Sequence, residues 1–210
     1  MTDFQEIKDA ILKGKFNEIA QLVQKTIDAG ESPDNIVSMG LIAGMNEVGV
    51  LFKNDEMYIP EVLVSARAMH TGMQVLKPLL EDTDMSTAGK VVLGTVKGDL
   101  HDIGKNLVGM MFRGAGYDVV DIGIDQPVEN FIEAVRKTEA QVMGMSALLT
   151  TTMTEMSLVI EALKEAGLRE KVKVLVGGAP VNADFASSIG ADGYAPDAGS
   201  ALDKVKGLIG

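Results

Sequence analysis

Cysteine is absent from the 210 residues, so neither a disulfide nor a thiolate metal site can form. Histidine is almost absent: His70 and His101 are too few for a conventional zinc site without several supporting carboxylates. There is no tryptophan and only 4% of residues are aromatic, which removes stacking platforms for single-stranded nucleic acid. A net charge of −11 opposes a nucleic-acid surface, which should be basic. No apolar run reaches transmembrane length, and Met1-Thr2-Asp3-Phe4-Gln5-Glu6 lacks the basic-then-apolar order of a secretory leader. The expectation is a cytoplasmic protein with no nucleic-acid or membrane partner. Hydrophobic (46%) and charged (23%) fractions are ordinary for a globular chain, long enough for one large or two small domains.

Residues 3 to 80 have helical periodicity. Phe4, Ile7, Ile11 and Leu12 form one stripe, ended by Gly14; Phe16, Ile19, Ala20, Val23 and Ile27 form a second, closed by Gly30. Ser32-Pro33 starts a third helix, a capping hydroxyl followed by proline at the first helical position. Its face is Val37, Leu41, Met45, Val48 and Leu51. Pro60 starts a fourth helix carrying Val64, Ala68 and Leu76, so the segment predicts a four-helix bundle. Gly40, Gly44 and Gly49 inside the third helix fit either close helix packing or room for a bulky ligand or a moving cap.

Glu81 to Gly89 is polar and aperiodic, as a linker would be. From Lys90 onward strands alternate with helices. Strands are expected near 90–96, 117–122, 141–146, 172–176 and 192–195, and helices over 104–115, 127–138, 152–167, 181–189 and 198–208. Five βα units predict a doubly wound parallel sheet of flavodoxin-like order. The domains are then 1–88, a helical cap, and 89–210, a Rossmann-like α/β domain.

Ligands of open α/β sheets bind outside the carboxyl ends of the strands. The first such end is Gly94-Thr95-Val96-Lys97-Gly98-Asp99-Leu100-His101-Asp102-Ile103-Gly104-Lys105-Asn106. A phosphate loop would need four residues between its glycines and a hydroxyl after the lysine. Here five residues separate Gly98 from Gly104, and Asn106 follows Lys105. The spacing of Gly94, Gly98 and Gly104 does not match a dinucleotide fingerprint either. What remains is Asp99-x-His101-x-x-Gly104. One imidazole nitrogen there can ligate a metal while the carboxylate holds the other. The alternative is a surface histidine beside incidental acids.

This stretch resembles the Asp-x-His-x-x-Gly signature of cobalamin-binding corrinoid proteins. Two further parts of that signature follow in order: Ser146-Ala147-Leu148, within Ser146 to Thr152, and Gly177-Gly178. The likeness extends to the helical cap and to the free-standing corrinoid methyl carriers of methyltransferase systems. It also extends to the cobalamin module of methionine synthase. It implies a cobalamin or related corrinoid whose cobalt takes His101 as lower axial ligand, with Asp99 as its hydrogen-bond partner and Thr152 completing the relay. Gly98 and Asp102 lie in the same loop and belong to the implied site. Ser146, Leu148 and Thr150 would contact the displaced nucleotide tail; Gly104, Gly177 and Gly178 would line its slot, and Ala198 would close it. In Phe52-Lys53-Asn54-Asp55-Glu56-Met57-Tyr58-Ile59-Pro60-Glu61, Phe52 and Ile59 would cover the upper corrin face.

The resemblance further implies that a methyl group rides on cobalt and that His101 binds and releases once per turnover. Partners would be a substrate-specific methyltransferase, a second methyltransferase with a pterin or thiol acceptor, and a reductive activator. Without a catalytic barrel the chain would be a component of such a system, with no catalytic residue of its own. The methyl donor stays open among methanol, methylamines, quaternary amines and methoxylated aromatics. A cobalamin-binding sensor would share the loop but need an output domain. The small subunit of an adenosylcobalamin mutase would lack the cap, and a flavodoxin-like nucleotide binder would lack the signature. Thirteen methionines fit adaptable core packing, and His70 fits a surface or packing role.

Overall fold

A computed structural model describes residues 4–80 and 88–209, which fall into two compact units. Apart from its last two residues, the linker expected at 81–89 lies outside the described residues.

The first unit is helical: α1 (Gln5–Leu12), α2 (Ile19–Asp28), a continuous helix over Pro33–Lys53, and α5 (Ile59–Leu80). The long helix begins as α3 (Pro33–Asn35), where the Ser32 hydroxyl accepts the Asn35 amide at 3.2 Å. It widens to π geometry over Ile36–Ile42 and returns to α geometry as α4 (Ala43–Lys53). Sequence periodicity gave no sign of the π segment. By length and composition Pro33–Lys53 could cross a bilayer (mean hydropathy 1.4), a correction to the reading that no run reaches that length. Asp34, Ser38, Asn46 and Glu47 interrupt its apolar sequence. In this fold Ile36, Val37, Leu41, Met45 and Val48 are buried, as expected of the core helix of a bundle.

Close packing accounts for Gly40 and Gly44. A Cβ on Gly40 would stand 3.0 Å from Ile7 Cγ2, and one on Gly44 would stand 2.9 Å from Ile11 Cβ, both on α1. The inward face of α5 also differs from the expected stripe. Val62, Ser65, Ala68, Met69, Gly72 and Leu76 are buried, whereas Val64 is exposed. Three consecutive apolar residues, Val62-Leu63-Val64, left the phase ambiguous, and the small Ser65 and Gly72 carry no hydrophobic signal. Glu61 fixes the start of α5, its Oε2 accepting the Tyr58 amide at 2.8 Å as the reciprocal half of a capping box.

The second unit contains β1 (Lys90–Thr95), α6 (Ile103–Gly114), β2 (Asp118–Asp121), α7 (Val128–Thr138), β3 (Val142–Ser146) and α8 (Glu155–Glu165). A 3₁₀ turn at Arg169–Lys171 leads to β4 (Lys173–Gly177), α9 (Ala183–Ile189), β5 (Gly193–Ala195) and α10 (Ala198–Ile209). The strands pair in parallel in the order β2-β1-β3-β4-β5, the flavodoxin-like arrangement. The interiors of β1, β3 and β4 are buried on both faces, hence their unbroken Val/Leu/Met runs. Val92, Met143, Met145, Val174 and Val176 meet Phe131 and Val135 of α7 and Ile160 and Leu163 of α8. The α8 helix starts three residues later than expected, because Thr150 to Thr154 form turns that present Thr152 to a neighbouring strand end.

Candidate functional site

Register places the motif residues in one row. Thr95 at the end of β1 pairs with Ser146 of β3, Ser146 with Gly177 of β4, and Gly177 with Ala195 of β5. The loops that leave this row carry the Asp99–His101 segment, the 147–154 turns and Gly178. The sheet order therefore puts segments some 75 residues apart in sequence at one crevice.

Asp99 organises this crevice. Its side chain is fully buried (0% exposed), and every acceptor position of its carboxylate is used. Oδ1 accepts the His101 amide at 3.0 Å and His101 Nδ1 at 2.7 Å. Oδ2 accepts the Leu148 amide and the Thr152 hydroxyl, each at 2.7 Å. Burial pushes the carboxyl up, but these hydrogen bonds outweigh it and hold Asp99 well below the ordinary carboxylate range. An ionised carboxylate only accepts, so His101 Nδ1 carries the proton and Nε2 has the free lone pair. Nε2 has no hydrogen-bond partner among the described residues, and the imidazole is 52% exposed. The buried Thr152 hydroxyl also lies 3.1 Å from the Leu149 carbonyl, but its single proton goes to the nearer, charged acceptor.

Other expected residues lie around this core. Gly98 sits at φ +80° before Asp99. Asp102 is engaged through Oδ2 with Asn106 Nδ2 at 3.0 Å. A Cβ on Gly104 would have no heavy atom within 4 Å, so that side of the loop faces open space. The Ser146 hydroxyl makes no hydrogen bond among the described residues, and Thr150 is exposed. Leu148 contributes its backbone amide while its side chain stays exposed. Gly178, at φ +123°, lies where a Cβ would overlap the Ala147 carbonyl. Gly177 lies beside the Ala195 carbonyl, and Ala198 is buried at the start of α10. In the helical unit, Phe52 is half-buried at the end of α4 and Ile59 is 44% exposed at the start of α5.

The sequence reading missed the buried Thr95, whose hydroxyl donates to the His101 carbonyl at 2.9 Å. A polar residue closing an apolar strand was its only signal. It also missed Lys105, buried and paired through Nζ with Asp121 Oδ2 and, at 2.9 Å, with Asn106 Oδ1.

The flavodoxin-order sheet thus presents one oriented imidazole, with a nitrogen unpartnered among the described residues, at the carboxyl ends of its strands, where open α/β sheets bind ligands. Two B12 binding domain models match the chain, over residues 89–203 and 3–77. The dimethylamine corrinoid protein of Methanosarcina barkeri is 47% identical over 207 residues, covering 98% of this chain and 96% of its own. The methanol:cobalamin methyltransferase complex MtaBC from Methanosarcina barkeri superimposes with a TM-score of 0.88 at 35% identity, covering 97% of this chain and 78% of that one. A cobalamin-binding protein from Desulfitobacterium hafniense DCB-2 does so with a TM-score of 0.84 at 31% identity over the whole of both chains. The chain belongs to the B12-binding corrinoid proteins, the methyl carriers of cobalamin-dependent methyltransferase systems.

Proposed function

We propose that this corrinoid methyl carrier takes its methyl group from a small methylated amine, through a substrate-specific methyltransferase. It then gives the group to a second methyltransferase with a pterin or thiol acceptor. The amine is favoured because relatives named for dimethylamine reach 47% identity over nearly the full chain, with a trimethylamine relative at 42%. A methyltransferase partner is favoured by the methanol:cobalamin methyltransferase complex to which the chain is similar. A reductive activator and a cytoplasmic location complete the reading. Residues 1–88 act as a cap and 89–210 as the cofactor domain, a division supported by the spans of the two matching models.

The observation that carries the site is the His101 imidazole, with Nδ1 fixed by Asp99 and Nε2 without a hydrogen-bond partner among the described residues. These residues fit a corrinoid. When bound, the corrinoid supplies a cobalt centre able to accept and release a methyl group. His101 Nε2 would hold the cobalt, with Asp99 setting the imidazole's tautomer and raising its basicity. The Thr152 hydroxyl and the Leu148 amide hold the Asp99 carboxylate anionic, so its Oδ1 keeps the acceptor role toward His101 Nδ1. Ser146, Leu148 and Thr150 would meet the nucleotide tail; Gly104, Gly177 and Gly178 would line its slot and Ala198 would close it, with Gly98 and Asp102 in the loop that carries His101. Phe52 and Ile59 would supply apolar cover for the corrin; the exposure of Ile59 supports that role over core packing.

The test is to load the reduced protein with corrinoid and incubate it with a dimethylamine-specific methyltransferase and dimethylamine, following the visible spectrum. Methylation with dimethylamine but not with methanol and its methyltransferase is expected. The opposite selectivity would contradict the donor assignment.

A further inference from the structure

The loop carrying His101 is gripped from outside the signature. Asp125, between β2 and α7, has φ +51°, a left-handed conformation that a residue other than glycine adopts at a cost. That conformation lets one residue hold two. Its Oδ1 accepts the Gly98 amide at 2.6 Å, and its own amide donates to the Asp99 carbonyl at 3.0 Å. On either side of Asp125 the same segment secures the base of the loop: the Gly123 carbonyl accepts the Thr95 amide at 2.9 Å, and the Gln126 amide donates to the Thr95 carbonyl at 3.0 Å. At the far end of the His101 loop, Asp121 of this segment holds Lys105.

We propose that Asp125 is a positioning residue for His101. By fixing the Gly98–Asp99 peptide it keeps the Asp99 carboxylate at its four donors, and so presents the imidazole in a single orientation. This rests on the reading of His101 as cobalt ligand. Left-handed strain at Asp125 is tolerated because the surrounding hydrogen bonds over-determine it.

Three variants separate the grip from general stability. Asp125→Ala removes the acceptor. Asp125→Asn keeps an oxygen for the Gly98 amide. Asp125→Gly removes the acceptor but relieves the left-handed conformation. In the cofactor-free protein, amide hydrogen exchange over 98–101 reads the grip directly, and about tenfold faster exchange is expected for Asp125→Ala and Asp125→Gly. In the corrinoid-loaded protein, a tenfold loss of imidazole affinity for cobalt(II) moves the cobalt(II)/cobalt(I) midpoint up to about 59 mV positive. Asp125→Asn should stay within twofold of wild type in both readouts. The proposal is overturned if Asp125→Ala lowers the melting temperature yet leaves exchange and midpoint unchanged while His101→Ala shifts the midpoint. If His101→Ala itself leaves the midpoint at the wild-type value, the ligand reading fails and the proposal with it.

Discussion

Gly40 and Gly44 of the helical unit come first against side chains, whereas Gly177 and Gly178 at the carboxyl end of β4 come against backbone. Gly40 and Gly44 let α1 approach the Pro33–Lys53 helix, and the nearest obstacles to a Cβ are atoms of Ile7 and Ile11. Gly177 and Gly178 lie against the carbonyls of Ala195 and Ala147. The Ile7 methyl group beside Gly40 can shift by a few tenths of an ångström, whereas a carbonyl moves only with its backbone. Polar groups divide the same way. The Ser65 hydroxyl is buried in α5 with no hydrogen-bond partner among the described residues, whereas Asp99 is equally buried with four. In the crevice the Asp99 carboxylate is completely hydrogen-bonded and the Gly177–Gly178 turn is closed in by backbone. The two regions should therefore respond differently to small changes.

The largest effect is expected from Gly178→Ala, which combines a backbone overlap with a left-handed φ. A loss of about 3 kcal/mol or more in urea unfolding, or failure to fold, is predicted. Near wild-type stability would show that the strand-end row can yield.

Asp99→Asn comes next. An amide brings a donor where the surrounding groups are all donors, and a loss of about 2–4 kcal/mol is expected. Since the folded-state pKa of Asp99 is depressed, its contribution is present above the unfolded value near ~3.9 and is lost as pH falls toward the folded value. Wild-type stability should thus decline below about pH 4 more steeply than that of Asp99→Asn. Parallel acid profiles would remove Asp99 as the source.

Thr152→Val should cost about 1–2 kcal/mol by leaving one Asp99 oxygen short of a donor, and Thr152→Ser much less. Equal losses would assign Thr152 to packing. Gly40→Ala should change stability by less than about 1 kcal/mol, since the gain in helix propensity offsets a soft contact with Ile7. A loss as large as that of Gly178→Ala would erase the distinction between the two units.

Much of this was legible in the sequence because the α/β unit is locally consistent. Apolar runs bounded by Gly and polar residues placed all five strands within two residues, and the strand order followed from the βα alternation. Asp99, His101 and Thr152 were readable as a set through the resemblance. The grip of Asp125 on Gly98 was not, since two loops far apart in sequence meet only once β2 has paired with β1. Nor was Thr95, whose hydroxyl acts on a backbone carbonyl and leaves no spacing pattern. In the helical unit the π segment and the true face of α5 escaped because close packing there relies on small residues, Gly40, Gly44, Ser65 and Gly72, to which hydrophobic periodicity is blind.

The central claim is that His101, oriented by Asp99, supplies the lower ligand to a bound corrinoid. The direct measurement is the visible spectrum of the protein reconstituted with hydroxocobalamin, wild type beside His101→Ala, with acid release to show whether the cofactor's own base is coordinated. The account predicts that both proteins retain the corrinoid and that their spectra and pH responses differ. Identical spectra with bound cofactor would contradict it.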